Sequence, residues 1–125
     1  MSERSLKSFG LPIIWGVALV YLSSTTGLNL PDMNLMQPDK FFHAGAYGLF
    51  TLLILRSYYL YNGKQEVKWI PQVLTAFFIS AGWGFLMELM QYSFFPGRFF
   101  DLYDEIANII GTILSIGIFK LLLKL

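Results

Sequence analysis

Apolar residues along the chain gather into four long runs that are separated by short polar connections. Each run approaches or exceeds the roughly 20 residues that a helix needs to cross a bilayer. The runs extend approximately over residues 9–24, 41–61, 69–94 and 102–123. The pattern predicts an all-α membrane protein, with residues 1–125 forming one domain that is a bundle of four transmembrane helices.

The composition is that expected of a chain embedded in a membrane. Hydrophobic residues make up 55% of the chain and charged residues only 14%, whereas charged residues make up about 25% of a typical soluble protein. The net charge of +1 gives no support to nucleic-acid binding, which requires a basic patch. The absence of cysteine excludes disulfides and thiolate chemistry.

The first apolar run allows two interpretations. Arg4 and Lys7 precede it and the small polar residues of LSSTTG follow it, a pattern that also resembles a signal peptide with its cleavage region. We favour a retained membrane anchor, because three further apolar runs follow.

Basic residues near the ends of the runs predict the orientation of the chain, because lysine and arginine are enriched in cytoplasmic connections. Only two basic residues, Lys40 and Arg98, lie in the connections after the first and third runs, on one side of the membrane. The basic residues on the other side are Arg4, Lys7, Arg56, Lys64, Lys68, Lys120 and Lys124. We therefore expect both termini in the cytoplasm and the connections around residues 29–40 and 95–101 outside.

Polar residues recur at helical spacing on three of the runs, so that each set shares one helix face. The three sets are Asp39, His43 and Tyr47; Glu88 and Gln91; and Asp101, Asp104 and Asn108. With the predicted orientation, all three sets reach the outer side of the membrane. Because ionisable groups in a span are costly and usually face a bundle interior or a wet cavity, we expect a polar pocket there.

Each of these residues also has a structural interpretation. Glu88, within GWGFLMELMQY, is the most difficult to explain by structure alone, because leucine would serve a purely structural helix. The structural alternatives are helix caps for Asp39 and Asp101, the aromatic belt for Tyr47, a carboxylate-bonded interfacial side chain for His43, a neutral or arginine-paired carboxyl for Glu88, and a loop pair with Asp101 for Arg98.

Small residues recur at every fourth position on two runs and predict close approach of helix backbones. They are Ala44 and Gly48 on one run, and Ala107, Gly111 and Ser115 on another. The aromatic residues near the ends of the runs, including Trp15 and Trp69, are expected to face lipid.

Three motifs together resemble the VanZ-like family of bacterial membrane proteins. They are DKFFHAGAYGLF with Asp39, Lys40, His43 and Tyr47; ELMQ with Glu88 and Gln91; and PGRFFDLYDEIANIIG with Arg98, Asp101, Asp104, Asn108 and Gly111. Ala44 departs from the bulky apolar residue expected after the histidine. The resemblance implies a protein of the bacterial cell envelope. Together with the distribution of basic residues, it predicts a multi-pass protein of the cytoplasmic membrane with its polar site facing outside. The family is named for a protein associated with teicoplanin resistance, and it implies no particular reaction.

Two functions remain open from the sequence. The first is an enzyme that acts on a lipid or a lipid-linked wall precursor, with His43, Glu88 and Asp104 as candidate catalytic residues, because an imidazole titrates near neutral pH and a carboxylate can orient it. The second is a non-catalytic binding or accessory protein, and a purely structural polar network is a further alternative. The candidate substrate-binding residues are Asp39, Lys40, Tyr47, Gln91, Arg98, Asp101 and Asn108.

The same polar residues could also bind a metal ion or a partner molecule. His43 with Glu88, Asp101 or Asp104 could hold zinc or manganese. No recognised ligand spacing occurs in the sequence, so no cofactor is assigned. The expected partners are membrane lipids, with a lipid-linked wall precursor or a glycopeptide as candidate ligands and no nucleic acid.

Overall fold

The computed structural model describes residues 2–25, 38–62, 69–94 and 101–124, which form four α-helices and no strand. The helices are α1 (Glu3–Thr25), α2 (Pro38–Tyr61), α3 (Trp69–Phe94) and α4 (Leu102–Lys124). The predicted all-helical class is confirmed. Helix α1 begins earlier than the apolar run, because its polar first turn is helical and carries an exposed pair between Lys7 Nζ and Glu3 Oε1 at 3.1 Å.

Three of the helices are long and apolar enough to cross a membrane: α1, α3 and α4. Helix α2 has a comparable length of 24 residues, but its first turns carry Lys40 and His43, and it does not meet the same hydropathy threshold. Membrane crossing by α2 and the cytoplasmic position of the termini therefore remain predictions.

Contacts at the two ends of the bundle show that successive helices run in opposite directions. At one end the Phe9 ring on α1 lies 5.2 Å from the Tyr58 ring near the end of α2, and Trp69 at the start of α3 stacks on Phe119 of α4. At the other end the start of α2 meets the start of α4 and the end of α3. The polar residues at these ends of α2, α3 and α4 therefore lie at the same depth along the bundle axis.

The polarity of the bundle is the reverse of that of a soluble protein. Large apolar side chains such as Ile70, Phe78 and Leu121 are exposed, while Thr51 and Asn108 are buried. In water the apolar side chains would occupy the interior. An apolar exterior around a partly polar interior is the arrangement that a lipid environment favours.

Helices α2 and α4 pack most closely, and small residues make this possible. A Cβ added at Gly111 would overlap the backbone carbonyl of Ala44, and one added at Gly48 would lie 2.7 Å from Ser115 Oγ. Any larger side chain at Gly111 would separate the two backbones. The predicted close packing through small residues is confirmed.

A group of three hydroxyl side chains joins α2, α3 and α4 deeper in the bundle. Thr51 Oγ1 lies 3.2 Å from Thr112 Oγ1, and Ser80 Oγ lies 3.1 Å from the same atom. Thr51 and Ser80 also donate to the Tyr47 carbonyl, at 2.8 and 3.2 Å. Because lipid offers no alternative partner, such bonds hold helices together.

Trp15 and Trp69, which were expected to be lipid-facing and interfacial, are partly buried against neighbouring helices. Trp15 is part-buried and its indole N–H donates to the Ala46 carbonyl at 2.9 Å, while Trp69 packs flat against Phe119 at 6.4 Å. A buried indole N–H needs an acceptor, and for Trp15 the backbone of α2 supplies one. Trp83 forms a similar bond from α3 to the Gly16 carbonyl of α1 at 3.2 Å.

Candidate functional site

The centre of the candidate site is a buried lysine held between two carboxylates. Lys40 Nζ at the start of α2 lies 2.7 Å from Asp101 Oδ2 and 2.6 Å from Asp104 Oδ1. The lysine is only 2% exposed. Charged hydrogen bonds of this length are strong, and removing one partner from a buried ion pair is costly. We call Lys40, His43, Glu88, Asp101 and Asp104 the ionic cluster.

Asp101 both caps a helix and belongs to the ionic cluster. Its Oδ1 atom accepts the backbone N–H of Tyr103 at 2.9 Å, which is the geometry of a helix N-cap. Its other carboxylate oxygen contacts Lys40. The sequence interpretation of Asp101 as a cap and its interpretation as a site residue are therefore compatible.

Two further members of the ionic cluster approach Asp104 and Asp101 from α2 and α3. His43 Nε2 lies 3.5 Å from Asp104 Oδ2, and the His43 side chain is 21% exposed. Glu88 on α3 is buried, and its Oε2 atom accepts the backbone N–H of Asp101 at 3.1 Å. Glu88, Asp104 and His43 each place one oxygen or nitrogen atom within 4.8 Å of the others.

A second polar layer adjoins the ionic cluster on α4, where Glu105 directly follows Asp104 and Asn108 lies one turn deeper. Glu105 and Asn108 are buried and face Gly84 of α3, where an added Cβ would lie 2.5 Å from Asn108 Nδ2 and 3.3 Å from Glu105 Oε2. Only glycine leaves room for these side chains. Tyr47 is also buried, with its ring against Phe50 at 6.5 Å, so it faces the bundle and not the aromatic belt.

The remaining predicted site residues are placed differently or fall outside the described part of the chain. Gln91 is buried, but its Nε2 atom donates to the Ser23 carbonyl at 2.9 Å and so joins α3 to α1. The side chain of Asp39 and the whole of Arg98 lie outside the described residues.

Glu105 was missed by the sequence reasoning although a signal was present. Asp101, Asp104, Glu105 and Asn108 follow the spacing i, i+3, i+4 and i+7, which places all four on one helix face. The three hydroxyl side chains Thr51, Ser80 and Thr112 were also missed. Each comes from a different helix, so no spacing within one helix could reveal that they meet.

Carboxylates dominate the charge of this end of the bundle. Among the described residues, Glu88, Asp101, Asp104 and Glu105 lie at or directly beneath Lys40, which is the only lysine or arginine in that group. Such a site favours cationic groups and proton exchange, and His43 gives it contact with the exterior.

An apolar exterior, three helices able to span a bilayer and a buried ionic cluster at one end define an α-helical membrane protein with a polar site inside the bundle. Comparison with known families shows which family of membrane proteins this is. The family model described as VanZ/LLP1 matches residues 8–123, and the chain therefore belongs to that family. No curated protein and no solved structure matches the chain.

Proposed function

We propose that this chain is a cell-envelope protein of the bacterial cytoplasmic membrane that binds a lipid or a lipid-linked wall precursor. In this proposal all four helices span the membrane, both termini lie in the cytoplasm, and the ionic cluster holds the polar headgroup at the outer leaflet. Membership of the VanZ/LLP1 family and the apolar helices support the membrane location.

The observation that carries the proposal is an apolar groove that begins beside the ionic cluster. The groove has a volume of about 300 Å³ and runs between α2 and α4. It is lined by Ala44, Gly45, Gly48, Leu49, Leu52, Gly111, Leu114 and Ser115. Ala44 directly follows His43 in α2, so a hydrocarbon chain in the groove would bring its headgroup to the ionic cluster.

The surface around the cluster supports an amphipathic ligand. Phe41 and Phe42 separate Lys40 from His43 along α2, and Tyr103 precedes Asp104 on α4; all three aromatic side chains are exposed. Charged and lipid-facing side chains thus alternate within single turns. A ligand with one polar and one apolar end matches this arrangement, because pockets that bind small molecules combine apolar walls with a few convergent polar groups.

Native mass spectrometry of the purified protein with its co-purified lipids tests the proposal. Gly45→Leu adds an apolar side chain at the groove, and its Cβ has open space because nothing lies within 4 Å of a Cβ added at Gly45. Gly117→Leu is the matched control, since Gly117 is equally open and does not line the groove. We expect a specific lipid on the wild type and on Gly117→Leu, and at least tenfold less on Gly45→Leu.

Other outcomes of this measurement would contradict the proposal. Equal lipid retention by Gly45→Leu and the wild type would show that the groove is not the binding surface. A dimer that is lost in Gly45→Leu, without any selective lipid, would show that the groove receives a second copy of the chain.

A structural network is the second candidate function, and the bonds within the ionic cluster favour it. Lys40 joins α2 to α4, and Glu88 joins α3 to the start of α4. If the cluster is only structural, Glu88→Gln lowers the unfolding temperature and leaves the lipid content unchanged. If it binds the ligand, the folded Glu88→Gln protein loses the lipid.

Turnover of the ligand separates an enzyme from a binding or accessory protein. His43 next to Asp104 has the arrangement of a general base with its orienting carboxylate. For an enzyme we expect His43→Gln to abolish turnover and leave lipid retention within about twofold; for a binding protein the two fall together.

A contribution to teicoplanin resistance is the cellular part of the proposal and requires a wall precursor as the ligand. We then expect deletion of the gene to lower the inhibitory concentration of teicoplanin. The wild type and Gly117→Leu restore it, while Gly45→Leu does not. An unchanged inhibitory concentration after deletion would remove resistance from the proposal.

A further inference from the structure

We propose that His43, Glu88 and Asp104 form a binding site for one divalent transition-metal ion, with zinc or manganese as the ion. The site is inferred from the geometry of the ionic cluster and does not require the lipid. A second role, in which the ion holds the phosphate of a lipid headgroup, rests on the proposed function.

The three ligands come from three helices and converge on one point. Each offers one ligand atom, and these atoms all lie within 4.8 Å of one another. An ion bound at about 2.1 Å from each ligand atom places neighbouring ligand atoms about 3 to 4 Å apart. The 3.5 Å between His43 Nε2 and Asp104 Oδ2 falls in that range, so the widest pair needs only a small side-chain adjustment.

The chemistry of the ligand set selects the class of ion. One imidazole nitrogen with two carboxylate oxygens suits zinc and manganese, whereas magnesium and calcium prefer oxygen ligands alone. Glu88 and Asp104 are buried in the bundle interior, and each offers one carboxylate oxygen within 4.8 Å of the other and of one His43 nitrogen. His43 thus completes a set of one nitrogen and two oxygen ligands.

An independent observation comes from the polar layer beneath the ligands. Glu105 Oε2 and Asn108 Oδ1 are buried, and neither has a hydrogen-bond partner among the described residues. Buried polar atoms are nearly always satisfied. Glu105 directly follows Asp104, Asn108 lies one turn deeper, and both side chains face Gly84. A water molecule bound to the ion is one donor that would satisfy these two oxygen atoms.

Lys40 acts as a positioning residue for the site. Its ammonium group contacts Asp104 Oδ1 at 2.6 Å and thereby fixes the carboxylate so that Oδ2 faces His43. Metal ligands are commonly held by a second layer of such contacts, whose removal lowers metal affinity about 10- to 100-fold. Glu88 is fixed in the same way by the backbone N–H of Asp101.

Metal titration of the purified full chain tests the site. The protein, with its affinity tag removed, is stripped with a chelator in detergent, and ZnCl₂ or MnCl₂ is added in a calorimeter. We expect one ion per chain for the wild type and at least tenfold weaker binding for Glu88→Gln and for His43→Gln. Glu3→Gln is the matched control, because Glu3 is an exposed carboxylate on the first turn of α1, and it should bind as the wild type does.

A second measurement keeps the test decisive if a variant is poorly folded. Zinc should raise the unfolding temperature of the wild type and of Glu3→Gln, but not that of Glu88→Gln. The proposal is overturned if the wild type binds no ion at a ratio near one, or if Glu88→Gln binds as tightly as the wild type. Lipid retention is measured on the stripped protein before and after zinc is added, so that metal binding at a ratio near one together with lipid retention that does not depend on zinc rejects only the lipid role.

Discussion

Replacing Lys40 by methionine tests whether the ionic cluster stabilises the bundle. Methionine keeps a flexible side chain of similar length but removes the ammonium group that contacts Asp101 and Asp104 at 2.7 and 2.6 Å. The side chains of Lys40 and Asp104 are 2% and 5% exposed, so water cannot replace the lost partner. Breaking a buried pair in this way costs about 3 to 5 kcal/mol. We therefore expect Lys40→Met to lose a large part of the total stability, which is about 5 to 15 kcal/mol in folded domains.

The assay is reversible unfolding in mixed micelles, followed by far-ultraviolet circular dichroism. Lys7→Met is the matched control, because it also removes an ion pair, but one whose side chains are 76% and 83% exposed. Exposed pairs contribute about 0 to 1 kcal/mol. Combining Lys40→Met with Asp104→Asn should cost less than the sum of the two single changes, since one variant already removes the shared bond. A Lys40→Met protein as stable as Lys7→Met would refute the reasoning.

Two further substitutions test the packing of the bundle in the same unfolding assay. Gly111→Ala should destabilise the protein by about 1 to 3 kcal/mol, because the new Cβ overlaps the carbonyl of Ala44. Gly117→Ala is the control, since its Cβ has open space, and it should be neutral or slightly stabilising. Equal effects of the two substitutions would contradict the close contact of α2 and α4. Thr112→Val should lower the free energy of unfolding by about 1 kcal/mol, because its interhelical hydrogen bonds are lost. Thr75→Val loses only a hydrogen bond to its own helix and should lower the stability clearly less. Equal losses of stability would show that the Thr112 hydroxyl group contributes nothing between helices.

The main features of the fold could be predicted because they depend on local pattern. Runs of apolar residues located the four helices, and the fourfold spacing of small residues located the contact between α2 and α4. The convergence of His43, Glu88 and Asp104 followed from helical spacing and from the alternating direction of the helices. Helical spacing is a property of a single helix, and the only further assumption is that successive helices run in opposite directions.

The details of the site could not be predicted because they depend on contacts between distant parts of the chain. Nothing near Lys40 in the sequence shows that its partners are Asp101 and Asp104, which follow 61 and 64 residues later. Gln91 shares a helix face with Glu88 but turns to a carbonyl on α1. The partial burial of Trp15 also depends on a distant contact, because a carbonyl of α2 accepts its indole N–H.

The long separation between Lys40 and its partners has a consequence for how the chain is made. Helix α2 carries a lysine that is unfavourable in hydrocarbon, and the carboxylates that neutralise it leave the ribosome only with the start of α4. If α2 spans the membrane as proposed, its lysine therefore has no carboxylate partner in the chain until the start of α4 has been synthesised. In that case we expect stable insertion of α2 to depend on the arrival of α4, so that the last helix to be synthesised completes the insertion of the second.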